Sequence, residues 1–248
     1  MIHNIKWFDS IDSTNSEAIR SFQNSEDFSI FAAKYQTSGR GQKGTVWESD
    51  QEKNLTFSII LKSNNIKAEN QFYVAQIVTI GIKRYLKSLG IDAKIKWPND
   101  IYVEDKKICG ILIEHFLSGD ILSGTVVGIG LNLNQTKFNS NAPNPISVAS
   151  ILGKELDLDA ELNNLLGYIH EIYYLFLNYR SSSMFSRLDA EYHDSLYRLE
   201  EYHQYQETPS GEIITARIMG VDSKACLLLE QENGQTKRYH FKEIKYIL

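Results

Sequence analysis

The sequence predicts an α+β protein, a mixed and mainly antiparallel sheet with flanking helices, followed by a small all-β barrel. Three observations carry this. The middle of the chain holds short apolar or β-branched runs joined by tight polar turns, two long stretches repeat apolar residues at helical spacing, and the pattern changes to short strand-like pieces from Tyr202 onward. The expected division is 1–198 and 199–248.

Element by element, Asp12-Ser13-Thr14-Asn15-Ser16-Glu17 supplies capping side chains and an acid for the first turn, which places a short helix from about Ser13 to Phe22. Ser29 to Tyr35 and Asn54 to Lys62 read as strands, with a polar, glycine-punctuated loop between them. Phe72, Val74, Ala75, Val78, Ile82, Tyr85 and Leu86 define a helix that Gly90 stops. Ala93 to Lys96, Ile101 to Val103, Ile108 to Phe116 and Ile121 to Leu133 then follow as strands, antiparallel because their links are short. A second long helix covers Leu158 to Tyr179, and a third Met184 to Leu196. Strands at Ile213 to Met219, Ala225 to Glu230 and Thr236 to Phe241, joined by Pro209-Ser210-Gly211, Val221-Asp222-Ser223 and Asn233-Gly234, complete the barrel.

Composition narrows the function. A chain of 248 residues with 42% hydrophobic residues can bury a full core, and its net charge of −5 argues against bulk nucleic-acid binding, so any anion site is local. Cys109 and Cys226 have neither metal nor disulfide spacing, which fits a reducing cytoplasm. The six histidines, at 3, 115, 170, 193, 203 and 240, form no ligand spacing, and no metal site is assigned. No signal-peptide or membrane-spanning run is present.

Two stretches carry chemistry. Gly39-Arg40-Gly41-Gln42-Lys43-Gly44 has dinucleotide-fingerprint spacing, but no helix follows it, and no kinase metal or base triplet accompanies it. What remains is physical: glycines let backbone amides approach an anion, and Arg40 and Lys43 add charge. In Lys96-Trp97-Pro98-Asn99-Asp100 a strand end and turn account for Trp97 and Pro98, but not for Lys96 in an apolar strand or for Asp100, a carboxylate with no apparent partner. Lys107 alone reads as a hairpin charge. Gly110 and Gly128 interrupt strand patterns, where glycine marks a bulge or a close approach to something flat.

Together these motifs resemble the biotin protein ligases. The resemblance runs through Asp12-Ser13-Thr14-Asn15, Tyr35-Gln36 with Gly39-Arg40-Gly41 and Trp47, Lys96-Trp97-Pro98-Asn99-Asp100, Lys107 with Gly110-Ile111-Leu112, Gly128-Ile129-Gly130-Leu131-Asn132, and ends in Gly220-Val221-Asp222 and Leu227-Leu228-Leu229-Glu230. It implies a class II synthetase-like catalytic domain over 1–198 and an SH3-like barrel over 199–248. It also implies ATP and biotin as substrates with Mg²⁺, and a biotin carboxyl carrier domain as protein partner. Ser13, Thr14, Asn15 and Gln36 would bond the ureido head, with Gly39 in the same site, and Gly110 and Gly128 would lie against the biotin rings. Arg40 and Lys107 would hold the biotin carboxylate and α-phosphate together. Gly41, Lys43, Trp47 and Asn132 would contact ATP, Trp47 by stacking on adenine. Lys96 would support the acyl phosphate, and Asp100 would position the acceptor amine or take its proton.

Two departures qualify this. Gln42 and Thr45 stand where family loops often carry arginines, so the intermediate is held less tightly unless Lys43 compensates. The sequence before Asp12 is too short for the DNA-binding helix-turn-helix of some relatives, so no DNA partner is expected. The resemblance leaves a homodimer open. Competing readings are a lipoate or octanoate ligase, for which the polar Asp-Ser-Thr-Asn set is unsuited, and a non-catalytic biotin or carrier-domain binder, which would not call for Arg40, Lys96, Asp100 and Lys107 together.

Overall fold

The computed structural model describes residues 4–42, 45–62, 66–139, 144–179, 181–208 and 210–248. Lys43, Gly44, Pro209 and His3 lie outside the described residues.

The first sheet is built from β1 (Ile5–Phe8), β2 (Ser29–Ala33), β3 (Leu55–Leu61), β4 (Ile66–Lys67), β5 (Lys94–Lys96), β6 (Asp100–Val103), β7 (Lys106–Ser118) and β8 (Ile121–Leu131). Its order is β1-β2-β3-β8-β7-β6-β5, with β4 beside β8. The pairings are antiparallel except β1 with β2. β1 is an edge strand that the sequence pattern did not announce, because Ile-Lys-Trp-Phe carries neither clean alternation nor bounding turn residues. Asp100 also differs from expectation: it does not sit in the turn but opens β6, opposite Lys96.

Strand alternation sends side chains to two faces. Leu55, Phe57, Ile59 and Leu61 of β3 join Val127, Ile129 and Leu131 of β8 in the main core. That core is covered by α2 (Phe72–Ser88), α4 (Leu158–Asn178) and α5 (Ser182–Asp194). α2 and α4 approach closely at Gly81, where an added Cβ would stand 2.8 Å from Ile169 Cγ1 and 3.0 Å from its Cα. A bidentate pair from Arg84 to Glu191, at 2.8 and 2.6 Å, ties α2 to α5. The opposite face carries α1 (Thr14–Ser21), whose Ala18 packs with Phe22, Phe31, Ile60 and Val126 in a separate small cluster. Ser13 caps α1 by accepting from the Ser16 amide. A short α3 (Val148–Leu152) was not foreseen.

The C-terminal sheet is β12-β11-β10-β9-β13, antiparallel throughout, from β9 (Tyr202–Glu207), β10 (Ile213–Val221), β11 (Leu227–Gln231), β12 (Thr236–Tyr239) and β13 (Ile244–Tyr246). It is joined to the first sheet through Trp97, which donates from Nε1 to Ala225 O at 3.1 Å and meets Phe241 edge-on at 6.1 Å between ring centroids. Among the described residues no helix is long and apolar enough to cross a membrane.

Candidate active site

On the α1 face, register sets three rows across β3, β8 and β7: Thr56, Gly130 and Gly110; Ser58, Gly128 and Leu112; Ile60, Val126 and Glu114. The glycines leave the sheet bare there. A cavity of about 1080 Å³ opens over them, lined by Ser13, Thr14, Asn15, Gln36, Arg40, Gly41, Trp47, Lys96, Asp100, Lys107, Gly110 and Gly128. Thr208, Phe241, Lys242, Lys245 and Tyr246 of the C-terminal sheet close another side.

One end is a polar cluster at the start of α1. The Thr14 amide donates to Gln36 Oε1 at 2.8 Å, and Thr14 Oγ1 lies 2.9 Å from Ser58 Oγ, which donates to Asn15 Oδ1 at 3.3 Å. Ser13, Thr14 and Asn15 are all buried. An added Cβ on Gly128 would stand 2.7 Å from Asn15 Oδ1, so glycine is what lets Asn15 reach the sheet.

The other end carries the charges. Lys107 Nζ pairs with Asp100 Oδ2 at 2.7 Å, so Asp100 is not the partnerless carboxylate that the sequence suggested. The antiparallel β5–β6–β7 ladder brings the two side chains to one place. Lys96 Nζ donates to Tyr102 OH at 3.1 Å and lies 4.6 and 4.9 Å from the ring centroids of Tyr102 and Tyr246. Burial pulls the Lys96 ammonium down from 10.5 to about 8; Asp100 works against that shift, and Lys107 and Arg198 work with it.

The described parts of the glycine-basic loop, 39–42 and 45–47, pair with each other over this floor, the Gly41 amide bonded to Thr45 O and the Trp47 amide to Gly39 O, both at 3.1 Å. Trp47 lies against the bare strands: an added Cβ would come within 2.7 Å of its ring at Gly110 and 2.2 Å at Gly130. Its Nε1 is buried without a hydrogen-bond partner among the described residues. Gly39 is buried behind the loop rather than in the cavity lining, where a side chain would meet Trp47 O at 2.5 Å.

Besides Gly39, two expected site residues differ from expectation: Arg40 lines the cavity but has another partner, and Asn132 lies outside the lining. Arg40 does not converge with Lys107; its guanidinium pairs with Glu114 at 3.0 Å, seven residues further along β7. Asn132 does not line the cavity, but its amide donates to Ile146 O at 3.1 Å and Lys107 O at 3.4 Å, bracing the strand that carries Lys107. Sequence reasoning missed Glu114, Ser58, Tyr102 and Tyr246. For Glu114 and Ser58 a signal existed: Glu114 follows Gly110 and Leu112 at strand period, and Ser58 is a polar residue inside a wholly buried strand.

The cleft is thus floored by glycines, polar at one end and cationic at the other. Residues 7–132 match the model of the Biotin/lipoate A/B protein ligase family. The chain therefore belongs to that family. It is 27% identical over 229 residues to the bifunctional ligase/repressor BirA of Escherichia coli, covering 90% of this chain and 68% of that protein. To the bifunctional ligase/repressor BirA of Bacillus spizizenii it is 25% identical over 222 residues, 87% of this chain and 66% of the other, so it spans about two thirds of the length of these relatives. Among solved structures, the biotin protein ligase of Aquifex aeolicus in complex with biotin and ATP aligns at a TM-score of 0.79 and 27% identity, over 98% of this chain and 99% of that one.

Proposed function

We propose that this protein is a biotin protein ligase, which joins biotin to ATP as biotinyl-5′-AMP and passes the biotin to a lysine of a biotin carboxyl carrier domain. One observation carries the reading: the Ser13–Asn15 and Gln36 cluster and the Lys96, Asp100 and Lys107 charges share one cavity over a glycine floor. A ureido ring needs fixed donors and acceptors, which the first group offers; an adenylation step needs cations at the reacting anions, which the second offers. Family membership and the likeness to an Aquifex protein solved with biotin and ATP support it.

In the first step the biotin carboxylate attacks the α-phosphorus and pyrophosphate leaves. Lys107 neutralises charge on the two anions, Lys96 supports the acyl phosphate, and Trp47 stacks on adenine once the ring is lifted from the strands. Mg²⁺ would ride on phosphate oxygens and water and offset phosphate charge, as is usual for this ion. In the second step the carrier lysine amine attacks the mixed anhydride, AMP leaves, and Asp100 positions the amine or takes its proton. The loop around Arg40 excludes water from the anhydride.

The same reading assigns residues 1–198 to catalysis, takes the C-terminal sheet of 199–248 as an SH3-like barrel, and places the protein in the cytoplasm beside its carrier. The test is purified protein with ATP, Mg²⁺ and a carrier domain, supplied with biotin or lipoate and read by intact mass. A biotin-sized increment is expected. A lipoyl increment, or none, would reject the assignment.

A further inference from the structure

The carboxylate of Glu114 touches both halves of the site at once. Its Oε2 accepts from Asn15 Nδ2 in a short hydrogen bond, and its Oε1 accepts from Arg40 Nη2 at 3.0 Å. Asn15 is also held from its other atom, by Ser58 Oγ at 3.3 Å, so the amide is oriented from both ends. Among the described residues the Arg40 side chain has one further hydrogen bond, to Ser16 Oγ at 3.5 Å. We infer that Glu114 is a positioning residue that couples recognition of the biotin head at Asn15 to placement of the Arg40 loop.

This inference rests on the ligase reading. Glu114 shares the face of Gly110 and Leu112, and Lys107 lies seven residues back along β7, on the order of 20 Å between Cα atoms. In the free protein Glu114 therefore keeps Arg40 over the head-group end, away from Lys107. Biotin seated at Asn15 would firm the Asn15–Glu114 contact, and by linkage Glu114 would hold Arg40, and with it the loop, over the ligand. Two carboxylate oxygens, each with its own donor, are what let one side chain serve both.

The test compares wild type, Glu114→Gln, Arg40→Met and the double variant. Biotin-dependent ATP–pyrophosphate exchange gives KM and kcat, and trypsin cleavage at the Arg40–Gly41 bond is followed with and without biotin for the two proteins that retain Arg40. Glu114→Gln keeps an acceptor and the side-chain shape but loses the charge. We expect it to raise the biotin KM about tenfold, the size of one charge-assisted hydrogen bond, with kcat within about twofold. In the wild type biotin should protect the Arg40–Gly41 bond, and Glu114→Gln should abolish that protection. The double variant should raise KM by less than the product of the two single effects, because the Arg40–Glu114 contact is lost only once while the Asn15 contact is weakened in either background. An unchanged KM and unchanged protection in Glu114→Gln, or additive effects in the double variant, would overturn the coupling while wild-type exchange still upholds the ligase. A wild type without biotin-dependent exchange would remove both. Should Glu114→Gln prove unstable, Glu114→Asp, one methylene short, must restore part of the protection; none would also count against it.

Discussion

Lys107 Nζ and Asp100 Oδ2 stand 2.7 Å apart across the β6–β7 ladder, so the cation suited to phosphate and the carboxylate suited to an amine hold each other in the free protein. Both side chains are about one quarter exposed, which leaves the pair open to exchange of partners when charged substrates enter. Each charge is thereby oriented before it is used.

Replacing Asp100 by Asn should lower transfer of biotin from the preformed adenylate by about a hundred to ten thousandfold, the range of general acid-base catalysis. Adenylation should fall less, since Asn keeps the shape beside Lys107. Single-turnover transfer and ATP–pyrophosphate exchange measure the two halves separately. An equal drop in both would reassign Asp100 to holding Lys107.

Lys107→Ala should abolish biotin-dependent ATP–pyrophosphate exchange. On the proposed mechanism it removes the ammonium that would balance two anions, and it leaves the Asp100 carboxylate without its ion-pair partner. Exchange at the wild-type rate would take Lys107 out of the chemistry.

For Lys96 the sign follows from burial, which lowers the ammonium from 10.5 to about 8. Between those values the unfolded chain binds the proton and the folded one does not, so this group makes stability rise with pH across that window, and its full cost stands below about 8. Lys96→Met should therefore stabilise the fold most near pH 7, with the gain fading by about pH 10.5, as denaturant melts at several pH values would record. If the charged form supports the acyl phosphate, adenylation should decline as pH rises through about 8, and Lys96→Arg should carry that limb to higher pH.

At Gly130 an added Cβ would stand 2.2 Å from the Trp47 ring. The obstruction is a loop side chain and not backbone, so Gly130→Ala should lift the ring rather than break the sheet. Overpacking of about 1–3 kcal/mol is then absorbed by the loop. The expected result is a raised KM for ATP with a melting temperature within about 3 °C of wild type.

The elements that were legible beforehand are the ones that carry a period. β7 and β8, long and joined by a tight turn, and α2 and α4, with apolar residues every three or four positions, stand close to where the sequence puts them. β1, β9 and β13 do not announce themselves, because Ile-Lys-Trp-Phe, Tyr-His-Gln-Tyr-Gln-Glu and Ile-Lys-Tyr bury too few residues to show alternation. α3, at five residues, is too short for a helical pattern.

The site divides in the same way. Ser13, Thr14, Asn15, Gln36, Lys96, Asp100 and Lys107 sit in local motifs and were found through them. Glu114 and Ser58 left a trace in strand period and in a polar residue within a buried strand, but their partners follow from sheet register, and Tyr246 from the docking of the second sheet, which no local spacing records. Arg40 was identified by its loop, but its partner could be learned only from the fold.

The Lys96 ammonium lies between one ring from its own sheet, Tyr102, and one from the C-terminal sheet, Tyr246, whose hydroxyl is buried without a hydrogen-bond partner among the described residues. The solvation of a lysine in the first sheet is thus set partly by the last three-residue strand. A chimera that exchanged the C-terminal sheet with that of a relative would change the surroundings of a lysine it never replaced.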